Sequence, residues 1–440
     1  MLAAVVSAYA PAPSALATAL QAELDALTAA NPDFAIALGW KSADASFTLA
    51  TGIVKGSLFP DGRADRPADP HDKFLFGSGT KPLTAAAVLR LADAGALSLD
   101  DKVADHVDAL LTAVNGTTLT GLFGAGAGAV TVGNLLAMQS GLADFDTPEL
   151  DDQILSSGED FPPVAILHAA ASQSPPIHFP AGTQTEYSST NYVLAGLVLL
   201  AHDPTAHNDW TKLHQHDLTF PPNLRPKYAN VSFIADQPIS SVATVAGASG
   251  MIEGKLTPIW TQKGGVLGFT CGNMAATALD VANFFYDLLV EKSVVSEESL
   301  AAMQQFNLLS YGWAKGHVVY GSGLMIESVA YTAQFGALLA QFGAILGQFG
   351  AILSRAPLVP PQVLALASRL FEVGRVHGPR RRHVRLPERA GHHRPAGQRE
   401  LLRRVERGLR RLVRDDVRRV PRDHRRREGA QGPDARPALP

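Results

Sequence analysis

Ser78 and Lys81 are the residues from which chemistry can first be argued. They stand three apart in Phe76-Gly-Ser-Gly-Thr-Lys-Pro-Leu-Thr-Ala85, at an expected helix start. Residues at this spacing share a helix face, so the ammonium can sit beside the hydroxyl. A neutral lysine in a dry site can take the serine proton, which an isolated hydroxyl does not surrender at neutral pH. Free N–H groups in the first helical turn can help hold an oxyanion. Pro82 fits, because a proline costs least near a helix start. Alone the pattern is weak: roughly one Ser-x-x-Lys is expected by chance in such a chain. A capped helix with a surface lysine would carry the same letters.

The elements that must position this pair follow from periodicity. Thr80 to Leu97 places Leu83, Val88, Leu89 and Leu91 near a helical period and ends at Ala94-Gly95. Before it, Ser14 to Ala30 reads as a helix, and Phe34–Trp40 with Ser46–Thr51 as a hairpin of two strands. Asp61 to Asp72 reads as a loop and Gly116 to Gly128 as a Gly/Thr-rich connection. Val132 to Met138 reads as a helix start. Short helices and Pro-rich loops fill the chain to about residue 270, and Asn273 to Val290 is expected to be helical. Strands at both ends of a helix-rich middle suggest an α/β sheet with an inserted helical part.

Five ordered blocks turn the weak pair into a specific pattern. They are Phe76 to Val103, with Leu-Arg-Leu-Ala-Asp-Ala-Gly-Ala-Leu-Ser-Leu-Asp-Asp-Lys-Val; Val132-Gly-Asn-Leu-Leu-Ala-Met-Gln-Ser-Gly-Leu142; Phe179-Pro-Ala-Gly-Thr183 followed by Tyr187-Ser-Ser-Thr-Asn-Tyr192; Gly272-Asn-Met-Ala-Ala-Thr-Ala-Leu-Asp280; and Tyr320-Gly-Ser-Gly-Leu-Met325. Over about residues 20 to 327 the chain resembles the serine β-lactamase, D-alanyl-D-alanine carboxypeptidase and esterase superfamily, most closely its class C-like branch. The resemblance implies an α/β (α+β) fold: an antiparallel sheet flanked by helices with an inserted helical subdomain.

It also implies roles. Ser78 would be the nucleophile, Lys81 its activating partner and Tyr187 the general acid/base. A free phenol titrates near 10, so that last role needs positive charge close by; an ordinary half-buried tyrosine is the alternative. Where the family usually has Asn at the third position of Tyr-x-Asn, this chain has Ser189 as its substrate-binding residue. A hydroxyl offers one donor where an amide offers two and an acceptor. Weaker gripping of peptide-like substrates and a lean towards esterase or amidase work are expected. Asn191 lies two residues on, on another helix face. The implied function is a serine hydrolase forming an acyl-enzyme on an ester, β-lactam or D-amino peptide. The alternative is a catalytically silent relative that binds a peptide or partner protein. No metal or organic cofactor is implied, and the partner is a small-molecule or peptide substrate.

Composition and competing motifs narrow the reading. The 440 residues, 46% hydrophobic and 18% charged, exclude collagen, a disulfide scaffold and wholesale disorder. The single cysteine, Cys271, excludes an internal disulfide and a cysteine-based zinc site, and reads as a small buried residue. No apolar run reaches bilayer length, so no membrane span is expected. His214-Gln-His216-Asp217 has the spacing of a metal pair but lacks the Asp-His that usually accompanies it, so it reads as a solvated loop. No Gly-x-Ser-x-Gly elbow, Walker or Rossmann fingerprint is present. Residues 1–19 open with Ser7-Ala8-Tyr9-Ala10, which resembles a signal cleavage site. No basic n-region precedes it, so a ragged start before a helix is the simpler reading, and localisation stays open apart from a weak secretory lean.

The domain reading places the family-like region at 20–330, followed by a segment of another character. Residues 331–372 carry a seven-residue repeat, Gln334-Phe-Gly-Ala-Leu-Leu339, Gln341-Phe-Gly-Ala-Ile-Leu346 and Gln348-Phe-Gly-Ala-Ile-Leu353. Residues 373–440 form an Arg-rich tail. From Arg375 onward there are 21 Arg, no Lys and 8 acidic residues, +13 against −16 for the remainder. Three readings stand: a nucleic-acid or acidic-surface binder, a solvated disordered tail, or an out-of-frame translation. Composition favours the last, and nucleic acid is not expected as a partner despite the charge. All 11 Lys precede the tail. A one-base shift permits Gly378-Pro-Arg-Arg-Arg-His-Val384 to read Gly-His-Gly-Gly-Gly-Thr-Ser. That contains the superfamily's third motif, His-x-Gly, which is missing from its expected place after Met325. The C-terminal strands of the sheet are accordingly doubtful.

Overall fold

The computed structural model describes residues 15–32, 35–59, 61–147, 161–242, 244–246, 249–252, 255–327 and 363–368. The chain divides into two units, Leu20–Pro379 and a second made of Met1–Ala19 with Arg380–Pro440. Of the second unit only the first turn of a helix is described. The repeat and the Arg-rich tail, β12 below excepted, lie outside the described residues, as does the region where the third motif was sought.

Helix α1 (Ala15–Ala30) leads to strands β1 (Ala35–Lys41) and β2 (Ser46–Val54), the expected hairpin. Antiparallel register sets Ala35 opposite Gly52 and Lys41 opposite Ser46. Six of the seven β1 residues are buried, as befits a central strand. Strand β3 (Arg66–Pro67) lies within the segment expected to be loop and pairs with the end of β2. Strand β4 (Phe74–Leu75) and a 3₁₀ turn over Gly77–Thr80 deliver the chain to α2 (Lys81–Asp93), which ends at the expected Ala94-Gly95. Gly95, at φ +68, turns the chain there.

The inserted part carries α3 (Val103–Asn115), α4 (Leu119–Phe123), α5 (Val132–Leu136), α6 (Pro163–Ala171), α7 (Thr190–Ala201) and α8 (Gln215–Thr219). Two helices, α2 and α7, set the core. Residues Lys81–Leu89 of α2 and Thr190–Leu200 of α7 are buried without interruption, the mark of helices enclosed on all sides.

The chain then forms short strands β5 (Ser232–Phe233), β6 (Ser249–Ile252), β7 (Lys255–Pro258) and β8 (Met274–Ala276). The helix expected from Asn273 begins instead at α9 (Ala278–Leu289). Thr277 and Asp280 form a reciprocal capping box that fixes this start, while Ala275 pairs with both Leu75 and Ser232. An apolar run preceding a strong cap misled the periodicity. After α10 (Glu297–Met303), strands β9 (Asn307–Leu308), β10 (Val318–Tyr320) and β11 (Met325–Glu327) form a small antiparallel sheet.

Strand β12 (Val363–Ser368) pairs antiparallel with β1, Ile36 opposite Ser368 and Lys41 opposite Val363. The sheet order is β12-β1-β2-β3, so one C-terminal strand is present after all. Among the described residues no helix is long and apolar enough to cross a membrane.

Candidate active site

The turn before α2 is fastened from behind, and that fastening aims Ser78. The Phe76 amide donates to the Met274 carbonyl (2.9 Å), and the Met274 amide donates to Thr80 Oγ (3.0 Å). Strand β8 thus grips both sides of Ser78. A second strap crosses α2 itself, where Thr84 Oγ donates to the Thr270 carbonyl (2.7 Å) and Thr270 Oγ to the Tyr192 carbonyl (2.6 Å). Gly196 makes this approach possible: a Cβ there would stand 2.0 Å from Thr270 Oγ. The strap brings the Cys271 carbonyl down onto Lys81.

Lys81 is 1% exposed, and its Nζ donates to Ser78 Oγ at 2.8 Å and to the Cys271 carbonyl at 3.2 Å. The ammonium also lies 5.0 Å from the centre of the Tyr187 ring and 5.9 Å from that of Tyr192. Burial works against its charged form, but Tyr187, Cys271 and Asp146 together outweigh it and hold the pKa above the ordinary lysine value. The upward pull comes first from Tyr187.

Tyr187 is 7% exposed and stands before the first turn of α7. Its ring meets Trp313 edge-on at 5.4 Å and Tyr320 at 5.8 Å. Burial, ahead of its tyrosine neighbours, drives the Tyr320 hydroxyl well above its usual value, and burial raises Tyr192 as well. Both are held as neutral phenols around the Lys81–Tyr187 pair.

Ser189 is buried, and its surroundings differ from what the sequence suggested. Its amide donates to Asp144 Oδ1 at 2.8 Å, and its hydroxyl donates to Asp146 Oδ2 at 3.3 Å. Phe145 N and Ala143 O both bond to Thr190 Oγ, so the whole 143–146 segment is tied to the head of α7. A carboxylate at a helix N-terminus is favourably placed. Asn191 does not reach Lys81: its Nδ2 donates to the Ser188 carbonyl and towards Met138 Sδ.

The other sequence candidates fall elsewhere. His214 and His216 flank and occupy α8 rather than a loop, and each has its own partner. His214 Nδ1 lies 3.1 Å from Asp203, and His216 Nε2 donates to the Tyr228 carbonyl at 2.9 Å. Cys271 is buried, as expected, but it is the carbonyl of that residue that touches the site. Asp146, Trp313 and the Cys271 carbonyl are site neighbours that sequence reasoning missed. Tyr320 and Cys271 lie in or beside quoted blocks, which was the one signal available. Nothing in sequence singles out Asp146 or Trp313.

Comparison with known proteins bears on the family and the fold. The model of the Beta-lactamase family matches residues 53–359. The chain is similar to Protein flp of Staphylococcus aureus (strain NCTC 8325 / PS 47), 30% identical over 174 residues, which is 38% of this chain and 32% of that protein. It therefore spans about a third of the length of that curated relative. Among solved structures it is similar to a D-stereospecific amidohydrolase from Streptomyces sp., with TM-score 0.52 and 20% identity over 72% of this chain and 84% of that one. It is also similar to the D-amino acid amidase of Ochrobactrum anthropi SV3, with TM-score 0.52 and 20% identity over 72% and 83%. At these identities the likeness is one of fold.

Proposed function

The chain belongs to the Beta-lactamase family, and from that premise we propose that it is a serine hydrolase forming an acyl-enzyme at Ser78. The observation that carries the reading is the 2.8 Å contact between Lys81 Nζ and Ser78 Oγ, with the lysine 1% exposed. The substrate class is an ester, β-lactam or D-amino peptide.

In acylation the Lys81–Tyr187 pair, short of one proton, accepts the Ser78 Oγ proton as the oxygen attacks the substrate carbonyl. The carbonyl π electrons move to oxygen and then return, expelling the leaving group, which takes up that proton from Tyr187. In deacylation Tyr187 removes a proton from water, the hydroxide oxygen attacks the acyl carbon, and Ser78 Oγ departs with the proton. The enzyme ends as it began. The Ser78 amide, in the turn before α2, is one oxyanion donor.

At the third position of the Tyr-x-Asn motif, Ser189 gives its one hydrogen to Asp146. The site there lacks the two amide donors that grip a peptide carbonyl, which supports the lean towards esters and simple amides. Labelling of the full chain by a fluorescent penicillin or a fluorophosphonate tests the reading. Wild type should be labelled at Ser78 and Ser78→Ala should not. A folded chain that resists both reagents would assign it to the silent, peptide-binding class instead.

A further inference from the structure

Next to the candidate site sits a pair of titratable groups, Glu186 buried and His178 half-buried, that the proposed chemistry does not use. His178 Nδ1 lies 2.6 Å from Glu186 Oε2, with side-chain exposures of 18% and 8%. Glu186 immediately precedes Tyr187, and its amide is anchored on the Met138 carbonyl at 2.9 Å.

The carboxylate also supports a loop. A Cβ on Gly312 would stand 2.5 Å from Glu186 Oε1, and Gly312 has φ +67. Glycine alone meets both demands, so the loop closes directly on the carboxylate. The amides of Ser310 and Tyr311 donate to the Thr185 carbonyl at 2.9 and 3.2 Å, and the Thr185 amide returns a bond to Ser310 Oγ at 3.1 Å. The Tyr311 ring lies 5.3 Å from that of His178 and 5.8 Å from that of Phe179. One residue past Gly312, Trp313 sets its ring against Tyr187.

We propose that His178 and Glu186 are positioning residues, whose ion pair fixes the Tyr311–Trp313 loop so that Trp313 holds the Tyr187 ring against Lys81. Loss of the imidazolium charge loosens that wall and makes the site sensitive to pH. This inference rests on the reading of Tyr187 as the acid/base.

The charges facing His178 all have one sign. Glu186 bonds to it and Asp144 adds to the field, while the Tyr311 ring covers it. The hydrogen bond to Glu186 raises the imidazole pKa against the opposing effect of burial. A raised folded-state value means the charged contact is complete at low pH and is lost as pH rises through that value. The transition therefore falls above the ordinary imidazole value.

The test uses the full chain and two readouts. Trp313 emission, isolated by subtracting the Trp313→Phe spectrum, is titrated without substrate, and kcat for a p-nitrophenyl ester is measured over the same pH range. Wild type should show one shared transition. His178→Gln should abolish it in both signals and lower kcat at least about tenfold at low pH, with KM little changed. Glu186→Gln should move it to lower pH. A wild-type Trp313 signal that does not titrate, or a transition that survives in His178→Gln, overturns the proposal. If His178→Gln fails to fold, the wild-type titration and the Glu186→Gln shift decide. The emission needs no substrate, so a chain that titrates but resists labelling at Ser78 overturns the hydrolase reading alone.

Discussion

Replacing Lys81 by Met should separate activity from stability, with the two moving independently. The side chain is almost fully buried and gives two hydrogen bonds, to Ser78 Oγ and the Cys271 carbonyl. Bonds from a charged group contribute about 1.5–3 kcal/mol each, so about 3–6 kcal/mol is lost. Against this stands the several kcal/mol that an ammonium costs when taken out of water, which Met does not incur. Met also fills nearly the same volume, so no large cavity opens. The two terms offset, and urea unfolding should give a stability within about 2 kcal/mol of wild type.

Activity should not be spared. On the proposed mechanism, removing one member of the Lys81–Tyr187 pair costs about 10²–10⁴-fold, or roughly 3–5 kcal/mol of barrier. The assay is hydrolysis of a chromogenic ester beside urea unfolding followed by circular dichroism. Acylation of Lys81→Met within tenfold of wild type would show that Lys81 is not the activating group. A stability loss above about 3 kcal/mol would show that the desolvation argument is wrong.

Two further outcomes test the scaffold. Asp287 accepts Lys227 Nζ at 2.7 Å on both oxygens and the Tyr228 hydroxyl at 2.6 Å, and is 3% exposed. Asp287→Ala removes the partner of both groups and, since the Lys227 ammonium left behind is exposed to water, should lower unfolding free energy by about 1.5–3 kcal/mol in denaturant titration, a loss under about 0.5 kcal/mol arguing that the pair is idle. Burial pushes the Asp203 carboxyl up, yet bonds from Thr205 and His214 prevail and hold it at about 2, below its usual 3.8. A depressed folded-state value means stability present above 3.8 and lost as pH falls through about 2. Wild type should shed about 2 kcal/mol across that window that Asp203→Asn does not, and parallel acid-unfolding curves for the two would contradict the assignment.

The hairpin, α1, α2 and the Ser78–Lys81 pair were legible because each rests on local rules. Alternation, 3.6-residue periodicity and i, i+3 proximity act within a few residues of the chain. Even the misplaced start at Asn273 was a local error, since the Thr277–Asp280 cap was there to be read. Tyr187 stood 106 positions beyond Lys81 and entered only through the likeness of its block to the family motif.

What the tertiary structure alone decided is how those pieces act on each other. Sequence determined which groups could be nucleophile, amine and phenol. It did not determine that Lys81 would be buried, that the Cys271 carbonyl would be carried onto it by a strap fitted against Gly196, or that Ser189 would face Asp146. Nor did it join Trp313 to Tyr187 through the Glu186–Gly312 contact. The physical reason is one of range. Periodicity records the neighbours of a residue along the chain, whereas desolvation and charge depend on residues brought close by the packing of distant elements. The chemistry of this site is set by those terms.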